Sequence, residues 1–218
     1  MIIDIVSDAV CPWCFIGKRR LERALALSPQ LDLQIGWRPF QLNPDMPASG
    51  MDRQEYLRLK FGDRAGGQMY DAVKAAGAQE GIPFAFEKIA RTPNTIAAHR
   101  LIRRSATFER QDAMVETLFR YYFVDGRDIG RGDTLIEAAS EAGLDAEATR
   151  RYLEGEADAD IVRAEDAYAR QIGINGVPCF IIDRKFAVSG AQAPEIFLEV
   201  FEHARKARDS GTGDADIV

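Results

Sequence analysis

The chain has 218 residues, 46% of them hydrophobic, enough to bury one large core or two small ones. Lys and Arg number 28 against 34 Asp and Glu, and the net charge of -6 argues against nucleic acid or an anionic membrane as partner. No apolar run approaches the roughly 18 residues of a membrane span, and three cysteines without a basic leader before the first strand point to reducing cytosol, where disulfides are transient and catalytic.

Ile2, Ile3, Ile5 and Val6 predict an opening strand. It is joined to an amphipathic helix by Cys11-Pro12-Trp13-Cys14. Two cysteines three apart on a first helical turn can close a disulfide, whose usual Cα separation is about 4.4 to 6.8 Å. Cys11 is expected at the helix N-cap with Pro12 as the first helical residue, where its fixed φ is favourable and its missing N–H is no loss. The unpaired N–H groups and the positive end of the helix dipole then face the Cys11 sulfur and favour a thiolate, which makes Cys11 the attacking thiol. Cys14, Gly17, Leu21, Ala24 and Leu25 fall on one stripe, so Cys14 points inward as the resolving thiol. Lys18, Arg19, Arg20 and Arg23 crowd the other face as a solvated charge run. A structural zinc would need two more ligands at suitable spacing, and only Cys179, His99 and His203 remain, none of them paired. A purely structural disulfide would close too short a loop to constrain much chain. The motif therefore reads as reversible redox chemistry, with no metal and no tightly bound cofactor.

Alternation of Leu31, Leu33, Ile35 and Trp37 predicts a half-buried strand. Pro39, Pro44 and Pro47 end it and mark a domain boundary. From about 51 to 172 the apolar spacing is helical, in Leu57/Phe61, Tyr70/Val73, Leu101/Ile102, Leu118/Tyr122, Leu135/Ala138 and Ala164/Tyr168. Within it, Asp133 or Thr134 is expected to cap the helix of Leu135, and the tripeptide Arg131-Gly132-Asp133 is read as coincidence. Strand signals return over 177–182 and 185–188, joined by Asp183-Arg184. A last helix spans about 194–208, and 209–218 is a frayed polar tail. His203, on that helix, is expected at the surface.

A β-α-β start carrying CxxC, a helical insert, then a hairpin opening on Gly176-Val177-Pro178 and a final helix resembles the DsbA-like thioredoxin-fold proteins. Further anchors are similar to the FrnE branch. They are Ser7-Asp8, Gly17-Lys18-Arg19, Pro39-Phe40, Leu42-Asn43-Pro44, Asn94-Thr95, Ala98-His99-Arg100 and Ser189-Gly190-Ala191-Gln192. The resemblance implies an α/β thioredoxin fold with a large helical insertion: a discontinuous thioredoxin domain of 1–44 and 173–208, an inserted helical domain of 45–172, and the tail. It implies that the Val177–Pro178 bond is cis and packs on the CxxC sulfurs, leaving the Val177 backbone free to pair with a substrate strand. The catalytic residues are then Cys11 and Cys14, and Pro12, Trp13, Val177, Pro178, Asn94 and His99 are the candidate substrate contacts. Three of these have a second reading: Trp13 as an interface residue, Asn94 as a helix cap, and His99 as a packing histidine. Alternation is taken to turn Cys179 to the opposite strand face from Val177, as a small buried hydrophobe.

The expected function is that of a thiol-disulfide oxidoreductase or isomerase acting on protein or small-molecule thiols and disulfides, with glutathione as a candidate redox partner and a homodimer as the candidate assembly. The alternative, from the related 2-hydroxychromene-2-carboxylate isomerases and kappa-class glutathione transferases, is a glutathione-dependent isomerase or transferase. Those enzymes use a serine near the position of Cys11, and the presence of both cysteines weighs against that chemistry. A non-catalytic holdase ranks last.

Overall fold

The computed structural model describes residues 1–29, 31–62 and 70–209. Its centre is a four-stranded mixed sheet built on β1 (Ile2–Ser7), whose β-branched residues favour the extended chain. β2 (Gln34–Pro39) lies parallel to β1 on one side, paired from Ile2↔Gln34 to Ser7↔Pro39. β5 (Cys179–Ile182) lies antiparallel on the other, from Ile3↔Ile182 to Val6↔Cys179, and β6 (Phe186–Ser189) closes the order β2-β1-β5-β6. The predicted strand from Leu31 begins later than its alternation suggests, because pairing can start only where β1 starts. Met1 accepts from the Gln34 N–H at 2.9 Å, and ahead of it the chain is still turning through Leu31 N–H to Ser28 O.

β5 and β6 are joined through Asp183 and Arg184, with φ 51° and 59°. Two successive left-handed residues give the twist a tight hairpin needs. The Asp183 carboxylate also accepts from Ile2 N–H at 2.8 Å, locking the turn to the start of β1.

α1 (Pro12–Ala26) and α9 (Pro194–Asp209) pack together beside the sheet. Phe197 meets Phe180 of β5 edge-on at 4.8 Å. Asp209 ends α9, and the rest of the expected tail, 210–218, lies outside the described residues.

Between β2 and β5 the chain is mostly helical: α2 (Arg53–Phe61), α3 (Asp71–Gln79), α4 (Ile96–Ala106), α5 (Gln111–Phe123), α6 (Gly132–Glu141), α7 (Ala146–Glu154) and α8 (Ala159–Gln171). Residues 51 and 52, expected to open this helical stretch, instead form β3 (Met51–Asp52), antiparallel to β4 (Arg91–Thr92). Gly50 makes that pairing possible: at φ +69° it brings the backbone so close to Thr92 that a Cβ would stand 2.7 Å from its carbonyl oxygen. Asp52 then caps α2, accepting from Gln54 and Glu55 N–H. The cap of α6 also differs from expectation. Extended Arg131 is the N-cap and Thr134 is buried, while Asp133 sits in the first turn, where the dipole favours a carboxylate.

One hydrophobic core runs from the sheet into the helices, holding Ile3 and Ile5 of β1 with Leu118 and Tyr122 of α5. Its seam is aromatic: Phe15 of α1 stacks on Phe119 of α5 at 5.1 Å, and Trp37 of β2 meets Phe119 edge-on at 6.3 Å. Lys18 corrects the expectation of a fully solvated charge run, since its side chain is only 4% exposed. Its ammonium is held between Glu22 of its own helix and Asp112 and Glu116 of α5, the last two at 3.1 Å. Burial pushes this ammonium down, but the charge of Asp112, the Glu22 hydrogen bond and the Glu116 charge outweigh it and hold it above its ordinary value. Burial likewise pushes the Glu116 carboxyl up, yet its bond to Arg19 and the Lys18 charge hold it below the usual range.

Lys18→Ala leaves these carboxylates facing one another without their cation, and is expected to lower unfolding free energy by about 1–3 kcal/mol in urea titrations. Because Glu116 titrates lower in the folded chain than in the unfolded, the clasp stabilises above the ordinary glutamate range and is lost as pH falls below about 4. The variant should therefore lose less stability than the parent between pH 6 and 3.

Candidate active site at the start of α1

The register Val6↔Cys179 brings the end of β1 beside the entry to β5. The turn leaving β1 then delivers the cysteine motif to Val177 and Pro178. Cys11 is the N-cap of α1, extended at φ -96° and ψ 112°, and Pro12 is the first helical residue, as the sequence predicts. Cys11 N–H bonds Asp8 O at 3.0 Å, and its thiol donates to Val177 O at 3.5 Å. The Val177–Pro178 bond is cis. Gly17, one turn further along α1, lets the helix lie against this proline: a Cβ there would stand 2.9 Å from Pro178 Cγ and 3.0 Å from Phe180 Cζ.

All three cysteines are free thiols. Cys14 is 1% exposed, facing inward as its helical position requires. Burial, reinforced by the hydrogen bond and charge of the Cys11 sulfur, pushes its thiol well above the ordinary value, against the Ser7 hydroxyl and the Asp8 backbone, which hydrogen-bond to it. Both thiols are buried, Cys11 4% and Cys14 1% exposed, but they differ in place: Cys11 caps the helix against Val177 O and Cys14 lies on its inner face.

Asp8 is fully buried. Its Oδ2 accepts from Leu42 N–H at 2.8 Å, and its Oδ1 lies 3.4 Å from His99 Nε2. The segment after β2 is held from the other side by Asp166 of α8, whose Oδ1 accepts from Gln41 N–H at 2.8 Å. Arg170 lies over the Phe40 ring at 4.2 Å. Sequence reasoning placed Ser7 and Asp8 in a motif but gave them no part in the site. The available signal was a polar pair, Ser7-Asp8, set between apolar Val6 and Ala9-Val10, where burial demands a partner.

Of the other candidates, His99 of α4 is 3% exposed and packs at Asp8. Asn94 spends both ends of its amide locally, donating to Met46 O at 2.7 Å and accepting from Ile96 N–H at 3.0 Å as α4 begins. Trp13 is 37% exposed beside the thiols on α1. Cys179 is buried, but the expectation about its face needs correcting: it packs with Val6 and Phe40 in one cluster against which Val177 and Ile181 also lie. Residues two apart on an extended chain share a face. His203 is exposed, its Nδ1 2.8 Å from Glu199 O.

The close approach at Gly17 is testable. Gly17→Val should force α1 away from Pro178 and Phe180 and lower unfolding free energy by about 1–3 kcal/mol, read from denaturation midpoints.

A family model described as a DSBA-like thioredoxin domain matches residues 2–202. Among solved structures, a probable DsbA oxidoreductase of Streptomyces coelicolor is similar to 100% of this chain over 94% of its own, at 33% identity and a TM-score of 0.88. A 2-hydroxychromene-2-carboxylate isomerase covers 99% of this chain and 100% of its own, at 17% identity and 0.68. The cytosolic disulfide reductase DsbM of Pseudomonas aeruginosa, solved with GSH, covers 94% and 100%, at 17% and 0.64. The last two likenesses speak to fold, whereas the family model and the Streptomyces chain carry the assignment. With a thioredoxin sheet, a helical insertion and a paired thiol at the first turn of α1, this chain belongs to the DsbA-like thioredoxin family of oxidoreductases.

Proposed function

We propose that the protein is a thiol-disulfide oxidoreductase and isomerase in which Cys11 is the nucleophile and Cys14 the resolving thiol. The observation that carries this reading is the placing of the pair: both thiols are buried, but Cys11 caps α1 with its sulfur on Val177 O, while Cys14 lies on the inner face of the helix, where burial pushes its thiol well above the ordinary value. In the proposed order Cys11, at the helix terminus beside the Val177 backbone, attacks first. Attack on a substrate disulfide joins one substrate sulfur to Cys11 and releases the other as thiolate. Cys14 then attacks Cys11, closing the Cys11–Cys14 disulfide and releasing the second substrate sulfur. The reverse sequence oxidises a dithiol, and escape to a different thiol isomerises.

Val177, Pro178, Pro12 and Trp13 are the proposed substrate contacts. Val177 and Trp13 keep part of their surface open, and exposed aromatic area beside the sulfur suits unfolded or apolar chains. The burial of His99 and the local bonds of Asn94 suit support of the site better than direct contact. The proposed division is a thioredoxin domain of 1–44 with 173–208 and an inserted helical domain of 45–172. Cysteine economy suits reducing cytosol, and hence reduction or isomerisation over net oxidation. Among the described residues no helix is long and apolar enough to cross a membrane. Glutathione is the proposed small-thiol partner, a role suggested by the GSH solved with DsbM.

Insulin reduction with dithiothreitol as electron source tests the assignment. Cys11→Ser is expected to fall to the uncatalysed rate, and Cys14→Ser to accumulate a mixed disulfide on Cys11 detectable by intact mass. Full turnover by Cys11→Ser would overturn it.

Because the Cys14 thiol is held well above its ordinary value, it is expected to resist iodoacetamide until well above pH 9 in the folded protein and to label at ordinary thiol pH once the chain is unfolded, as read by peptide mapping.

A further inference from the structure

Arg53, Tyr56 and Lys60 follow one another on α2 at spacings of three and four, so they share a helix face. The Arg53 guanidinium lies 5.5 Å from the centre of the Tyr56 ring and the Lys60 ammonium 5.3 Å, which sets two cations over one ring. Among the described residues, every side-chain hydrogen-bond partner of this pair is neutral. Arg53 donates to Thr92 Oγ1 at 3.0 Å, to Tyr122 OH at 3.5 Å and to Tyr70 OH. Lys60 donates to Tyr56 OH at 2.8 Å and to Asn43 Oδ1 at 2.9 Å, and Tyr56 OH donates to the same Asn43 oxygen at 3.0 Å. Burial pushes the Tyr70 and Tyr122 hydroxyls above their ordinary value, against the Arg53 charge, so neither phenol supplies an anion. In a chain of net charge -6, two like charges thus stand on one face without a carboxylate, and they repel until an anion joins them.

This face is tied to the cysteine turn. Asn43 follows Leu42, whose N–H bonds Asp8 Oδ2 at 2.8 Å, and the Asp8 carbonyl accepts from Cys11 N–H at 3.0 Å. Arginine has five N–H donors and lysine three, so after the bonds just named each keeps donors for a ligand. A guanidinium fork and an ammonium both suit carboxylate oxygens. We propose that Arg53 and Lys60, with Tyr56 between them, form a carboxylate subsite that recruits glutathione disulfide to Cys11.

The proposal rests on the reading of Cys11 given above and names a substrate for it. Glutathione is a tripeptide with a carboxylate at each end and its thiol in the middle, and a chain of three residues spans about 10 Å. With its sulfur at Cys11, a carboxylate turns toward the α2 face. The Cys11 thiolate attacks one glutathione sulfur, the disulfide bond breaks, and its electron pair leaves on a glutathione thiolate. The other glutathione stays on Cys11 until Cys14 attacks there, when it too leaves as a thiolate and the Cys14 proton passes to solvent. The enzyme dithiol is oxidised by two electrons, and glutathione disulfide is reduced to two thiols. Arg53 and Lys60 bind the carboxylate and take no part in the exchange at sulfur.

The test is single-turnover oxidation of the fully reduced protein by glutathione disulfide and, separately, by uncharged bis(2-hydroxyethyl) disulfide. Acid quenching and intact mass count the Cys11 adduct and the closed disulfide. The second-order rates are compared as a ratio, glutathione disulfide over the uncharged one. Lys60→Gln removes the charge but keeps a donor for Asn43, and is expected to lower this ratio by about two- to fivefold. Lys60→Glu should lower it further. The parent ratio should fall as salt rises from about 20 to 500 mM, and the Lys60→Gln ratio should fall less. The disulfide of glutathione ethyl ester, stripped of its carboxylates, should lose no rate in Lys60→Gln. A parent ratio in both Lys60 variants, or an equal loss on the uncharged or esterified disulfide, would overturn the subsite while leaving the dithiol reading intact. No Cys11 adduct or closed disulfide from either disulfide in the parent would overturn the dithiol reading itself.

Discussion

The constraint on which the site depends is the meeting of two chain segments at the carboxyl end of β1: the turn 8–11 leading into α1, and the cis bond before β5. Their meeting is fixed by backbone pairing, since Val6 opposite Cys179 brings Ser7 and Pro178 to the same end of the sheet. It is tightened by the missing side chain at Gly17, which admits Pro178 and Phe180 to the surface of the helix. A one-residue slip in the β1–β5 register would turn every side chain of β5 to the other face and move Val177 O away from Cys11.

Around that contact the remaining structure works as a clamp. Asp8 holds the loop after β2 through Leu42, and Asp166 holds the same loop from α8 through Gln41. Phe15, Phe119 and Trp37 join α1, α5 and β2 in one aromatic seam, and Lys18 pins α1 to α5 through carboxylates. The helical insertion is therefore bonded to the motif's own helix and to the strand beside it, which suits a site whose two thiols must keep different surroundings.

Much of this was legible in the residues, for identifiable reasons. A strand ending in Cys-Pro-Trp-Cys leaves few places for the cysteines: proline selects the first turn, and the stripe through Gly17 and Leu21 turns Cys14 inward. The hairpin of β5 and β6 followed from two turn residues between apolar runs. What periodicity could not supply was anything that depends on a distant partner. Lys18 reads as a surface charge until Asp112 and Glu116 are brought to it, Met51 reads as helical until Thr92 lies alongside, and Asp8 and His99 are neighbours only in the fold. The face assigned to Cys179 went wrong for a local reason, the two-residue period of an extended chain, which puts it with Val177.

The central claim is that Cys11 and Cys14 form one reversible couple with unequal members. Equilibrating the purified protein in graded glutathione redox buffers, quenching by alkylation and mapping the pairs by mass tests it most directly. The account predicts a Cys11–Cys14 disulfide that titrates smoothly with the buffer while Cys179 stays reduced. A stable glutathione adduct on Cys11 with no such bridge at any poise would contradict it.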